Sequence, residues 1–500
     1  MNKKLQFNRY VPIALKKALD KLDYSRKDNL YTIIDLIYRK EIYFKNELQK
    51  VYGYTEISKQ QFKELLPTSD NLNDDINFLV DSGFIRRNDY YTMGIKSKGY
   101  KISSEYMGKS LPVKITNDNI NKRIAKQIIR NKRLKVKRLE FVKSEYFKNF
   151  KIDVKGANKA ILDKAHSEIN ELCNRLKFPL SRDQIHAIIN CDESSVANRF
   201  ELLIRAGKEI KNILHRYMVS SMRITAIGDG FLFFKRNKTN GRLDSNLTSL
   251  PSYLRLYILS DEPLFNIDIK NSQPFFLYTL LKSQKGINLE ELELYKKMVL
   301  SGQLYDALVL DFNKKYQKIW IRDQMKNMVF KIFYSKTSSY LKYKNFFASW
   351  FPTIMEFINN TNANSNKILA VKMQTLESHA VLDVIMPELE KLGIKPYTIH
   401  DSFMCKQSQV DTIVSVVTQK MEELFRVCPT LKVEEVNTQV QEDEEVWEMT
   451  DDYFDYDDEE EDEDLKVESI QIKIPQMSMA EKQKVLSALL RPNQDEEYGF

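Results

Sequence analysis

Four cysteines among 500 residues is little, and they are scattered: Cys173, Cys191, Cys405 and Cys428 form no Cys-x-x-Cys pair. That spacing excludes the common zinc motifs and a disulfide framework, and it fits a reducing, cytoplasmic setting. Long apolar runs are missing too. None approaches the ~18 residues of a membrane-crossing helix, and the Asn/Lys-rich start has no apolar signal core, so neither a membrane partner nor export is expected. What the chain does have is 43% apolar and 11% aromatic residues. These suffice for real cores, in a length that suits two to four domains.

A net charge of +8 hides a division. Residues 434–500 hold 23 acidic and 5 basic side chains, a net of −18, and the rest of the chain carries +26. Such an excess suits a polyanionic partner, because each neutralised phosphate releases counterions. The acidic run 442–464 repels itself and is expected to be disordered, with a short helix over about Met479–Leu490 after it. The Asp495–Phe500 tip resembles the tails of bacterial single-stranded-DNA-binding proteins and could dock replication proteins. Solvation, or mimicry of DNA over the basic body, are the other readings of this tail.

Near the start, Leu30–Ile42 has helical apolar spacing, and Asn73–Ser82 carries a stripe of Ile76, Leu79 and Val80 that Gly83 ends. Phe84–Arg87 and Tyr90-Tyr91 then read as a strand pair around an Asn88-Asp89 turn. Helix, glycine and basic ribbon in this order resemble a winged helix, with Arg86, Arg87, Lys96 and Lys98 on the wing facing nucleic acid. A protein-docking module is the competing reading. The expected division is a winged-helix-like domain over 1–110, a basic helical linker over 111–157 and thumb-like helices over 158–220. A core over 221–433 and the acidic tail complete it. In the linker, Ile124, Ile128, Ile129, Leu134 and Val136 keep apolar contacts among the charges. The core mixes strands and helices without regular alternation, so its class is α+β.

Two runs in that core carry chemistry. Phe265-Asn266-Ile267-Asp268-Ile269 and Tyr397-Thr398-Ile399-His400-Asp401 are β-prone and each brings an aspartate to its end. Carboxylates at the ends of adjacent strands can share two divalent cations about 3.5–4 Å apart, which stabilise both oxygens of a phosphoryl transfer. Between them, Arg322, Lys326, Phe330 and Tyr334 recur every four residues. On a helix they line one face, where cations can hold a triphosphate and aromatics can stack on sugar and base.

Together with their order, these motifs resemble the core of family A DNA polymerases and the related single-subunit, phage-type RNA polymerases. Thr239-Asn240-Gly241-Arg242-Leu243-Asp244-Ser245 is similar to the family's T-x-G-R-L-x-S stretch, which would give Arg242 a primer–template contact. Asp268–Gln273 resembles motif A: Asp268 would bind both metals, the Ile269 carbonyl would add a ligand, and Gln273 would be the sugar gate. DNA polymerases place a glutamate at that gate and the RNA polymerases a glycine. Arg322–Tyr334 resembles motif B, with Arg322 clamping phosphate and Lys326 the general acid for pyrophosphate. Phe330 would lie against the ribose and Tyr334 beside the insertion site, while Ser335 stands where the family usually has glycine. Met373-Gln374-Thr375-Leu376-Glu377-Ser378-His379 resembles the M-Q-G-x-x-A-D stretch opening a helix to about Leu392, with Gln374 reading the minor groove. His400-Asp401-Ser402 resembles motif C, where Asp401 is the second metal carboxylate and His400 a primer-end contact. Its serine is the RNA-polymerase version.

The resemblance implies a right-hand architecture of palm, fingers and thumb. It also implies two Mg²⁺ ions, with Mn²⁺ as a substitute, a DNA primer–template and dNTPs. The bulky Gln273 and the aromatic Phe330 favour DNA synthesis, as in replication of a phage or plasmid-like element. An RNA polymerase or primase-like enzyme is the alternative, and a non-catalytic DNA-binding replication or regulatory protein a second. No Asp-x-Glu precedes residue 230 and no nuclease domain is recognisable, so proofreading by the same chain is not expected.

Overall fold

The computed structural model describes residues 6–43, 54–66, 71–89, 97–103, 105–133, 136, 138–190 and 193–436. Two compact units emerge. The first is Met1–Leu134, Phe150–Phe233 and Tyr257–Leu259, and the second is Lys135–Asn149, Phe234–Leu256 and Ser260–Phe500. Among the described residues no helix is long and apolar enough to cross a membrane.

In the first unit, β1 (Asn8–Pro12) is the first described strand. After the Lys27–Tyr43 helix come β2 (Thr55–Glu56), helices Lys59–Leu65 and Leu72–Asp81, β3 (Ile85–Asn88), β4 (Gly99–Ile102) and β5 (Ser110–Lys114). β1 pairs with β5, while β2, β4 and β3 form a three-stranded antiparallel sheet in that order. The Lys27–Tyr43 helix turns Leu30, Ile33, Ile34, Ile37 and Tyr38 inward at a helical period, into one core with Ile76 and Leu79 of the Leu72–Asp81 helix. That helix stops where its sequence says it should. Gly83 takes φ +72, its N–H donates to Val80 O and the Phe84 N–H donates to Leu79 O. This paired closure needs a left-handed residue and drops Phe84 into the core.

The basic ribbon differs from its expected form. β3 pairs with Gly99–Ile102, Asn88 opposite Gly99, so the connection is residues 89–98 and not a two-residue Asn88-Asp89 turn. Tyr90, Tyr91 and Lys96 lie outside the described residues, as do Leu134, Cys191 and the tail from 437 to 500. Val80 is only half-buried. The expected linker holds two separate helices, Asp118–Arg133 and Glu140–Asn149. In the first of these Ile124 is buried but Ile129 is exposed. Farther on, the Val154–Arg175 helix starts on Asp153, whose carboxylate accepts from the N–H groups of Lys155 and Gly156. The Val196–Gly228 helix bends at Ala206, next to Gly207.

The second unit contains β6 (Phe234–Arg236) and β7 (Leu243–Ser245), an antiparallel pair. It also contains a four-stranded antiparallel sheet of β8 (Leu264–Ile269), β9 (Tyr397–Ile399), β10 (Ser402–Lys406) and β11 (Leu431–Glu435) in the order β11-β8-β10-β9. Along β8, Ile267 and Ile269 are buried and Asp268 alternates away from them. Each buried isoleucine contributes about 1.5–3 kcal/mol. β11 was not anticipated: it includes Glu434 and Glu435, so the first residues of the acidic segment belong to the sheet. Helices cover the rest, including Ser272–Leu281, Arg322–Tyr334 and Lys367–Ser378. The last starts six residues before Met373, and it passes into a π-helical turn over His379–Ile385 before Met386–Lys391. Pro387 explains the widening, because it cannot donate to the carbonyl four residues back and its ring crowds that carbonyl.

Candidate active site

Asp268 lies on an interior strand of the sheet, directly opposite Ser402 of β10 and Lys432 of β11. Asp401 precedes Ser402. It occupies the second position of a two-residue hairpin turn between β9 and β10, in which His400 takes φ +54. The two aspartates therefore come to neighbouring positions, but across β8 and β10, not across β8 and β9 as the two apolar runs alone implied. Both are half-buried. The Ser402 hydroxyl donates to Ile399 O at 3.1 Å and closes the same turn.

A hard divalent cation fits these donors. Mg²⁺ is held through one or two carboxylates with water and substrate phosphate completing its shell, and it does not need an all-protein cage. Among the described residues no three His, Cys, Asp or Glu side chains gather into such a cage. The donors that the resemblance implies, Asp268, Asp401 and the Ile269 carbonyl, would be the ones to hold Mg²⁺. Beside them, burial pushes the His400 imidazole down to about 3, the cations of Arg242 and Arg255 add to that effect, and Asp401 opposes it. That direction favours the uncharged imidazole.

β8 leaves the sheet through Asn271, whose left-handed φ of +54 starts the Ser272–Leu281 helix. Asparagine tolerates that conformation better than most residues. The turn places Gln273 in the first helical turn, buried. There the Tyr334 hydroxyl donates to Gln273 Oε1 at 2.9 Å. This bond ties the last residue of the Arg322–Tyr334 helix to the segment that follows Asp268.

That helix buries Met325, Met328, Val329, Ile332 and Phe333 on its core side. The face carrying Arg322, Lys326, Phe330 and Tyr334 is graded. Arg322 is exposed, and Tyr334 at the other end is buried. The Lys326 ammonium lies 6.0 Å from the Phe330 ring centre, and the Phe330 and Tyr334 rings are 5.8 Å apart. Arg322 pairs with Asp306 at 3.4 Å and lies over the Tyr305 ring. An exposed pair of this kind is worth about 0–1 kcal/mol, so a phosphate can displace it. Ser335 leaves the helix in extended backbone, φ −94 and ψ 164, which any residue adopts, so the glycine expected there is not needed for this path.

The residue that sequence reasoning missed is Glu377. It is fully buried and its carboxylate accepts a fork from Arg242, Nε to Oε1 at 2.8 Å and Nη2 to Oε2 at 2.7 Å. Oε2 also accepts from Gln273 Nε2, and the Ser272 hydroxyl lies 3.5 Å from it. Burial works against the Arg242 charge, but the Glu377 carboxylate outweighs it and raises the Arg242 pKa. Arg242 thus has two of its nitrogens committed inside the protein before any primer is bound. Gln374, one helical turn before Glu377, accepts from Asn240 Nδ2 at 3.0 Å. Gly241, between Asn240 and Arg242, is required: it has φ +74, and a Cβ there would come 2.6 Å from Ser378 Oγ. A second fork, Arg236 to Asp383 at 2.7 and 2.8 Å, fastens the β6–β7 hairpin to the π-helical turn.

No protein-family model matches the chain, and no curated protein matches it. Among solved structures it is similar to the POL domain of Pol1 from M. smegmatis in complex with DNA primer-template and dNTP. That match has a TM-score of 0.39 and 10% sequence identity, and it covers 64% of this chain and 72% of that chain. Values this low carry no functional argument, which rests on the site itself.

Proposed function

We propose that this chain is a template-directed DNA polymerase of the family A type, transferring nucleotides from dNTPs to a primer 3′-hydroxyl. The observation that carries this reading is the Tyr334–Gln273 hydrogen bond. It joins the cation-and-aromatic helix to the segment that follows Asp268, so residues far apart in sequence meet around one end of the sheet. Asp268, Asp401 and the Ile269 carbonyl would hold two Mg²⁺ ions, which lower the cost of the charge that develops on the attacking and leaving oxygens.

The chain's own residues do the rest. Arg322 and Lys326 hold the triphosphate, Phe330 lies against the sugar, and Gln273 fills the space a 2′-hydroxyl would need. The primer 3′-hydroxyl gives up its proton to water as its oxygen bonds the α-phosphorus. The bond broken releases pyrophosphate, to which Lys326 gives a proton. Arg242, Gln374 and His400 would contact the primer–template, with two Arg242 nitrogens held by Glu377 and buried Gln374 accepting from Asn240. The winged-helix-like part of the first unit would bring the enzyme to a particular DNA, as in replication of a phage or plasmid-like element. Among its cations Arg86 is exposed, and Arg87 and Lys98 pair with the exposed Asp89, a contact weak enough for a phosphate to displace.

Ser402 is the feature that favours an RNA polymerase, but its hydroxyl is used in the hairpin turn. A primed template with Mg²⁺ and either dNTPs or rNTPs, with Asp401→Ala as control, decides among the readings. Extension with dNTPs is expected. Use of rNTPs alone points to the RNA polymerase, and no extension to a non-catalytic DNA-binding protein.

A further inference from the structure

Gln273 is bulky but uncharged where the resembled DNA polymerases carry a glutamate, and a carboxylate stands directly behind it. We propose that Glu377 is a positioning residue for sugar selection, holding the Gln273 amide as a fixed wall and Arg242 in register with it. This rests on the polymerase reading above.

Both ends of the Gln273 amide are used. Its oxygen accepts from the Tyr334 hydroxyl at 2.9 Å and its nitrogen donates to Glu377. That pair of bonds fixes which way the amide faces, and burial leaves the side chain little room to change rotamer. Glu377 in turn is fixed by the Arg242 fork, the planar two-bond geometry that most constrains a carboxylate. The charges explain the choice of glutamine. Arg242 and Glu377 balance each other, so a second carboxylate at position 273 would place two like charges in a buried site that is already neutral. Bulk at 273 and charge at 377 form a matched pair.

Exchanging them tests the pair. Gln273→Glu, Glu377→Gln and the double variant are compared by the ratio of kcat/KM for dNTP over rNTP in single-nucleotide extension, with primer–template affinity measured in parallel. Glu377→Gln is expected to lower the ratio about tenfold, the scale of one buried hydrogen bond to a charged group. Gln273→Glu is expected to impair dNTP use. The double variant restores one donor and one acceptor between the two positions, and its ratio returns to within about threefold of wild type. Its primer affinity stays low, because Arg242 has lost its fork. A merely structural Glu377 would move stability and leave the ratio alone. The proposal is overturned if Glu377→Gln keeps the wild-type ratio, or if the double variant is no better than the two single effects added. Should Glu377→Gln fail to fold, the comparison of Gln273→Glu with the double variant decides, and the double must be the better enzyme. Failure of the wild type to extend with either nucleotide set refutes the polymerase reading instead.

Discussion

Two acidic centres lie in the second unit and are built in opposite ways. Asp268 and Asp401 sit half-buried at neighbouring positions of a strand and a hairpin turn. Glu377 is sealed, with no exposed surface and a guanidinium fork on its carboxylate. A carboxylate meant for a cation must stay reachable and keep oxygen lone pairs to give. One meant to hold other side chains does best when its charge is balanced in place, since an unbalanced buried charge is expensive. Burial and the guanidinium fork, not residue type, set Glu377 apart from the half-buried aspartates, and under the proposed function they would separate a positioning acid from reacting ones.

The comparison breaks most visibly at Asp401. Asp401→Ala is expected to cut dNTP extension by at least about 10³-fold, because under the proposed function a cation held there would supply several kcal/mol to the reacting oxygens, while the melting temperature moves little. A variant that extends primers at wild-type rate would remove Asp401 from the site. Glu377→Ala should do the reverse and cost stability. It leaves Arg242 without its partner, and since the Arg242 side chain is 18% exposed, the loss falls near the low end of the buried-pair range, about 3 kcal/mol. Denaturant unfolding of the two variants side by side measures the contrast.

These two centres were not equally legible. The aspartates stood at the ends of β-prone runs, and the period of four from Arg322 to Tyr334 fixed a helix face without tertiary information. Glu377 stands in plain view within Met373–His379, but an acidic residue on a helix is ordinarily solvent-facing. What buries it is Arg242, 135 positions away, and such a contact leaves no local trace. The available signal was its spacing of three from Gln374, which puts both on one helix face. β11 escaped for a different reason: Leu431-Lys432-Val433-Glu434-Glu435 begins with the alternation of a strand but runs into the acidic segment, and composition masked the period. The strand partner of β3 was misplaced because a basic ribbon does not specify how long its loop is.

A fourth carboxylate, in the first unit, sharpens what a guanidinium fork does. Glu41 accepts from the Ile102 N–H at 3.0 Å. Burial nonetheless pushes its pKa up to about 7, with the Ile102 bond and the Lys101 charge only partly opposing. Between the ordinary value of 4.5 and about 7 the folded protein binds more protons than the unfolded chain, so stability falls as pH rises through that window. Glu41→Gln keeps an acceptor for Ile102 and loses the charge. It is expected to flatten this slope and to be more stable than wild type at pH 8, by about 1–2 kcal/mol after allowing for solvent screening. Urea unfolding at pH 5 and pH 8 checks it, and an unchanged slope would show that Glu41 titrates normally.

The smallest expected effect sits at the seam between the open and sealed centres. Tyr334→Phe removes the hydroxyl that donates to Gln273 and leaves the ring in place. Gln273 keeps its bond to Glu377 but loses the one that holds its oxygen, and that buried acceptor is left wanting. The cost of one neutral hydrogen bond is about 1 kcal/mol, so discrimination between dNTP and rNTP should fall about fivefold. Under the proposed function the hydroxyl would position the gate and not the reacting atoms. The ratio of the two substrates should therefore change more than kcat for dNTP does. An equal loss for both nucleotides would instead place Tyr334 with the aspartates, on the reacting side of the seam.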